Sequence, residues 1–254
     1  MKKNKSGLTS VTFRQLGYRE IIELTKMGGL DGIEWGGDIH VPEGNIDMSA
    51  SVGTDTASFG LEVLSYGSYF KVGENNDVSK AFLPVLVSAE TMKSPVIRVW
   101  AGTKGSADIS EEYFKNVVND TQTICDMAEK KDITICFEYH RGTLTDNCRS
   151  TLNLIRQVNR ENLKTYWQPN PDMSHQENMN ELKCVLLHLE HIHVFHWTGD
   201  NIRHSLNSGA DKWREYIEII KTDSRPHSYI LEFVKNDDPA QFMDDTHTLL
   251  EIIK

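Results

Sequence analysis

Glu138 and Glu232 each stand as a lone acid in a run that is otherwise apolar or β-forming, Ile133-Thr134-Ile135-Cys136-Phe137-Glu138-Tyr139-His140 and Tyr229-Ile230-Leu231-Glu232-Phe233-Val234. A buried carboxylate without a counter-charge is strongly disfavoured by desolvation, so Glu232 requires a cationic partner. Two partners meet that need: Arg98, which would make a structural ion pair, or a divalent metal compensating Glu138 and Glu232 together. Alternation along a strand puts Thr134, Cys136, Glu138 and His140 on one face and Ile133, Ile135, Phe137 and Tyr139 on the other. In His193-Val194-Phe195-His196 the two histidines have opposite parity, so a regular strand turns only one of them inward. His196 lies nearer the strand end and before the polar loop Thr198–Arg203, which makes it the expected ligand and His193 a hydrogen-bonded residue at the strand–helix boundary. A bulge would reverse the two. Gln168 either offers its amide oxygen to a hard cation or satisfies backbone groups at a strand end. Two carboxylates, one imidazole and one amide oxygen suit Mn²⁺, Mg²⁺ or Co²⁺, and Zn²⁺ is also compatible.

The elements that must position these residues follow from periodicity. Eight β-rich runs alternate with segments of helical period: Thr9–Phe13, Gly32–Trp35, Leu61–Tyr66, Val96–Ala101, Ile133–Tyr139, Thr165–Gln168, Ile192–Trp197 and Tyr229–Val234. The helix over Ser110–Lys130 is the clearest. Phe114, Val117, Val118, Thr121, Ile124, Cys125 and Ala128 mark one face, Ser110 is an N-cap, and Glu111, Glu112, Lys130 and Lys131 match the helix dipole. Further helices are expected over Tyr18–Met27, Val78–Met92, Cys148–Val158, Asn178–Glu190, Lys212–Lys221 and Pro239–Ile253, while the stretch between the second and third strands reads as loop. Eight βα repeats predict a single-domain (β/α)₈ TIM barrel over residues 1–254, with the chemistry at the C-terminal ends of the strands.

Composition narrows the function. The chain has 254 residues, with 27 Lys plus Arg against 37 Asp plus Glu and a formal net charge of −10, which argues against a nucleic-acid partner. No window nears 18 consecutive apolar residues and Met1–Ser6 leads into no hydrophobic core, so neither a membrane partner nor a secretory leader is expected, and a cytoplasmic location is. Cys125, Cys136, Cys148 and Cys184 lack CxxC spacing and read as reduced thiols. A homo-oligomer is compatible with all of this.

Gly29-Leu30-Asp31-Gly32-Ile33-Glu34-Trp35, Phe137-Glu138-Tyr139-His140 with Gly142-Thr143-Leu144-Thr145-Asp146, His193-Val194-Phe195-His196 and Ile230-Leu231-Glu232 occur in that order. Together they resemble the sugar phosphate isomerase/epimerase superfamily of xylose isomerase-like barrels, which includes D-tagatose 3-epimerase and inosose dehydratase, over nearly the whole chain. The resemblance implies a Glu, Asp, His, Glu metal set carried here by Glu138, Gln168, His196 and Glu232, with Gln168 in place of the usual Asp and one negative charge fewer. It also implies substrate contacts from His140 and Arg203; Glu34 and His40 are further inward polar candidates for lining a sugar pocket.

The implied activity is that of an isomerase or epimerase of a free or phosphorylated sugar. The metal polarises a ketose, a cis-enediolate forms, and Glu138 and Glu232 act as catalytic acid and base from opposite sides of the substrate carbon. A keto-inositol dehydratase-type lyase would use the same residues. A non-catalytic sugar-binding barrel that lost its metal at Gln168 is a third reading. An endonuclease IV-like activity would require a trinuclear zinc site and a basic surface, and neither is visible.

Overall fold

The structure is a computed structural model describing residues 3–254. Eight parallel strands close into a barrel: β1 (Lys5–Thr9), β2 (Gly32–Gly36), β3 (Glu62–Lys71), β4 (Val96–Trp100), β5 (Thr134–Phe137), β6 (Leu163–Trp167), β7 (Leu189–Val194) and, after a two-stranded hairpin of β8 (Trp197–Thr198) and β9 (Ile202–Arg203), β10 (Ser228–Leu231). β10 pairs with both β7 and β1, which completes the ring. Helices α1 (Tyr18–Met27), α2 (Ile46–Ser58), α3 (Val78–Met92), α4 (Glu111–Glu129), α5 (Cys148–Val158), α6 (His175–Val185), α7 (Ala210–Ile220) and α8 (Pro239–Ile252) surround it. The predicted (β/α)₈ barrel is therefore the fold. Among the described residues no helix is long and apolar enough to cross a membrane, and all four cysteines are free thiols.

The pleat divides each strand between two environments. Ile33, Trp35, Ile97, Val99, Ile135, Phe137, Ile192, Val194, Tyr229 and Leu231 are buried in the continuous layer between strands and helices, the main hydrophobic core. The residues of opposite parity fill the barrel. Val96, Cys136 and Tyr166 form a small apolar plug there, and a layer of charged and polar side chains lies above it toward the C-terminal ends.

Several elements differ from the sequence-based expectation. The first strand is Lys5–Thr9, and Ser10–Phe13 forms a 3₁₀ turn. Small residues at the start of this strand allow close packing: a Cβ on Gly7 would lie 2.4 Å from Leu64 Cδ1. The stretch expected as loop contains α2, whose buried positions are Ser49, Val52 and Thr56. Only one of the three is aliphatic, so no apolar stripe announces the helix. Its fit depends on Gly53, where a Cβ would come within 2.7 Å of the Met92 carbonyl oxygen at the end of α3. The seventh strand stops at Val194, three residues short of the expected Trp197, and α6 with a following 3₁₀ turn ends before Leu189.

Asp245 on α8 secures the β7–α7 connection to the barrel wall. It is 3% exposed, and its Oδ1 accepts from the Leu206 backbone N–H at 2.8 Å and from Gln241 Nε2 at 2.9 Å. Burial raises its carboxyl from 3.8 to about 6. The unfolded chain then loses this proton near pH 4 and the folded chain near pH 6, so stability falls as pH rises between them. Asp245→Asn keeps an acceptor oxygen and removes the titration. It is expected to match the parent's stability at pH 4 and to exceed it by about 1–3 kcal/mol at pH 7.5 in urea unfolding.

Candidate active site

Six side chains from six strands converge in the polar layer. Glu34 lies in the middle of β2, Arg98 lies in β4, Glu138 follows β5, Gln168 follows β6, His193 is in β7 and Glu232 follows β10. Donor atoms of Glu138, His193 and Glu232 lie within 4.8 Å of one another. All three residues are buried, Glu232 the least so at 7% exposed.

Glu34 organises this layer from below. It is completely buried and accepts from Ser65 Oγ at 2.7 Å, Tyr166 Oη at 2.7 Å and Thr9 Oγ1 at 3.2 Å. It also faces Arg98 Nε at 3.3 Å and His193 Nε2 at 3.1 Å. These neighbours hold its carboxyl well below the usual range against the opposing effect of burial. Gly67 makes room for the arrangement, since a Cβ there would lie 2.9 Å from Arg98 Nη2 and 3.1 Å from Glu34 Oε1. The other end of the Arg98 guanidinium pairs with Glu138 through Nη1.

The imidazole of His193 links the two levels. With Glu34 accepting from Nε2–H, Nδ1 faces Gln168 Oε1 at 3.1 Å and Glu232 Oε1 at 3.5 Å. A ring nitrogen that carries its lone pair here takes either a hydrogen bond from the Gln168 side-chain amide or a cation. Net charge favours the second. Three carboxylates, Glu34, Glu138 and Glu232, meet the single guanidinium of Arg98, and a divalent ion balances the remaining two charges. A carboxylate behind a histidine is also the usual way to orient a metal-bound imidazole. The donor set fits a hard or borderline divalent cation held by Glu138, His193 and Glu232, with the Gln168 amide oxygen adjacent.

Placement corrects several sequence-based assignments. His193, not His196, enters the barrel. The strand ends before His196, and the β6–β7 register shifts between Thr165 and Tyr166, so that Tyr166 pairs with His191 and parity counted from an expected later strand end fails. His196 instead lies against Gly209, with its ring 5.3 Å from that of His204. Glu34 supports the layer from beneath, with no exposed surface to offer a sugar. His40 has both nitrogens engaged, Nδ1 with Ser10 Oγ at 2.9 Å and Nε2 with the Leu16 carbonyl at 3.1 Å, and serves as a buried pin. Arg98 is indeed a structural partner of a buried acid, but of Glu138 and Glu34 and not of Glu232. The sequence offered Arg98 as an ion-pair partner; that it bridges two acids is a tertiary fact.

The mouth above is walled by aromatic groups. His140 stacks on Trp100 with ring centroids 4.8 Å apart and planes at 24°. Its Nδ1 donates to the Arg141 carbonyl at 2.6 Å, so the neutral ring leaves an Nε2 lone pair, and burial moves its pKa below the ordinary value. Across the opening, Arg203 lies 4.7 Å from the Phe233 ring centroid and 5.5 Å from that of Trp197, and its Nη1 pairs with Asp237 at 2.5 Å. Phe233 directly follows Glu232 and adopts a left-handed φ of 49°, a conformation costing about 1–3 kcal/mol. Its N–H is held by Thr12 Oγ1 at 3.0 Å.

The family model described as a xylose isomerase-like TIM barrel matches residues 22–250. A curated relative, the 3-dehydroshikimate dehydratase of Bacillus anthracis, is 29% identical over 171 residues, 63% of this chain; the chain thus spans about 60% of that relative's length. Among solved structures, the probable 3-DHS dehydratase of petrobactin synthesis from Bacillus anthracis superposes with a TM-score of 0.81 at 20% identity, covering 97% of this chain and 98% of that one. The D-psicose 3-epimerase of Clostridium cellulolyticum H10 gives 0.76 at 15% identity, covering 98% of each. The 3-keto-D-glucoside 4-epimerase of E. coli gives 0.75 at 16%, covering 98% and 99%. These structural similarities describe the shared barrel.

The two histidines are separable by experiment. Titrating the metal-free chain with Mn²⁺ in a calorimeter, His193→Ala is expected to weaken binding at least 100-fold, whereas His196→Ala should stay within about threefold of the parent. The opposite order would return the ligand role to His196.

Proposed function

The chain belongs to the xylose isomerase-like TIM barrel family, and from that premise we propose that it is a divalent-metal-dependent dehydratase of a small hydroxylated keto acid of the 3-dehydroshikimate kind. The observation that carries the reading is the convergence of Glu138, His193 and Glu232 in a layer whose acids outnumber its fixed cations. When bound there, a divalent ion supplies Lewis-acid stabilisation for the negative charge that develops on a ketone oxygen. Glu138, His193, Glu232 and the Gln168 amide oxygen are the groups that would hold it. Glu34 keeps the His193 ring oriented through Nε2, and Arg98 holds the Glu138 carboxylate in place.

His140 is the base. Its Nδ1–H is committed to the Arg141 carbonyl, so Nε2 is the acceptor. The C–H bond beside the ketone breaks toward Nε2, its electron pair becomes the new C=C bond, and the C–O bond on the next carbon breaks. The departing hydroxide takes the proton from the imidazolium. Water is released and His140 is again neutral, so one side chain serves as base and then acid. The stacking surface of Trp100 holds the ring in place throughout.

Epimerisation by Glu138 and Glu232 is the second reading, and two carboxylates in one cluster favour it. It needs a proton donor on each side of the substrate carbon. The Glu138 carboxylate is already engaged by Arg98, and the sequence similarity to a dehydratase favours the first reading.

The test supplies the Mn²⁺-loaded protein with 3-dehydroshikimate, following ultraviolet absorbance of the unsaturated product, and separately with D-fructose, following C3 inversion by chromatography. Water loss without inversion is expected. His140→Asn retains a donor toward Arg141 and should lower kcat by about 10²–10⁴ while KM and Mn²⁺ affinity change only a few-fold. Ketose inversion without dehydration, or an unimpaired His140→Asn, would refute the assignment.

A further inference from the structure

Beside the metal-ligand cluster lies a second cavity that the chemistry above does not use. It has a volume of about 130 Å³ and opens between the loops that follow β6 and β7 and the start of α7. His196 and Lys212 line it together with Asn170, Trp197 and Pro169. The last three also line the cleft that holds His140 and Gln168, so the two spaces adjoin along a shared wall.

Its charge is unusual for this molecule. In a chain with a net charge of −10, no aspartate or glutamate lines the cavity. The nearby acids have other partners: Asp211 pairs with Arg214 at 2.7 Å and Glu215 with His175 at 3.2 Å. Lys212 makes no ion pair among the described residues. Neither ring nitrogen of His196 has a hydrogen-bond partner among them, and His204 stands behind it with its own Nε2 on Thr198 Oγ1 at 2.8 Å. Gly209 allows the His196 ring to sit against the segment leading into α7, because a Cβ there would lie only 2.2 Å from His196 Nδ1. Burial, His204 and Lys212 all move the imidazole toward its neutral form. An ammonium and an uncommitted imidazole at the end of a short cavity are suited to an oxyanion.

We propose that this cavity binds the anionic tail of the substrate, a carboxylate or a phosphate, with Lys212 and His196 as its recognition groups. The proposal rests on the reading that the neighbouring cluster is the reaction centre, and it adds what the cluster lacks, a cation free to hold a charged substituent away from the reacting carbons. Arg203 is less suited to the task, since Asp237 already neutralises it.

The experiment uses the full chain without added metal, so it does not depend on turnover. Inorganic phosphate and acetate are titrated in separate arms while the ring carbon resonances of His196 are followed by NMR, and affinities are measured by calorimetry. At least one anion is expected to shift the His196 signals saturably. His196→Gln and Lys212→Met should each weaken that anion about tenfold, and Glu232→Gln, which disables the metal-ligand cluster, should bind it as the parent does. Tighter phosphate binding would identify a phosphate tail, and tighter acetate binding a carboxylate. Absence of a saturable shift with both anions, or affinities unchanged in both substituted proteins, would overturn the subsite. Loss of metal-dependent turnover with intact anion binding would instead count against the reaction centre alone.

Discussion

The carboxylate of Glu34, buried at the centre of the barrel, is the constraint on which the upper half of the structure depends. An isolated ion there would cost several kcal/mol even after relaxation. It is tolerated because two hydroxyls from the neighbouring strands β1 and β3, a phenol from across the barrel, a guanidinium and an imidazole all turn toward it. Meeting that demand fixes Arg98 and His193 in position. Arg98 then reaches Glu138, and His193 presents Nδ1 to Gln168 and Glu232. The site above is thus assembled by the satisfaction of one buried charge below it.

This arrangement separates stability from chemistry by depth. The apolar plug of Val96, Cys136 and Tyr166 closes the barrel beneath the charged layer, and the aromatic groups at the mouth lie above it. Between them is a buried zone where electrostatic interactions are stronger than in water. A cation bound by Glu138, His193 and Glu232 would act at full effect there. His140 sits at the edge of this zone, and the cavity lined by His196 lies to one side of it along the β6 and β7 loops. Strain is concentrated at the same rim, with Phe233, Asp200, Asn201, Asn236 and Asp237 all in left-handed backbone conformations.

Much of the barrel was legible from hydrophobic periodicity, because each strand buries one face against helices and alternation is the direct record of that. The elements that escaped notice are those where close approach replaces bulk. β1 packs through Gly7, and α2 packs through Gly53 with Ser49 and Thr56 buried. Small residues leave no apolar stripe in a sequence, although they mark the tightest contacts in the fold.

For the site, the sequence by itself determined that Glu138 and Glu232 face the barrel interior. A lone polar residue of inward parity in an apolar strand has no other stable direction to take. It did not determine which histidine joins them, because that choice depends on where β7 ends and on a one-residue shift in its pairing with β6. Nor did it determine that Arg98 joins Glu34 to Glu138, that His40 is a pin, or that His196 borders a separate acid-free cavity. Parity is a local property of the chain, set by the pleat. Register, strand length and the partners of a buried charge arise only when distant strands are brought side by side, and the tertiary structure alone decided them.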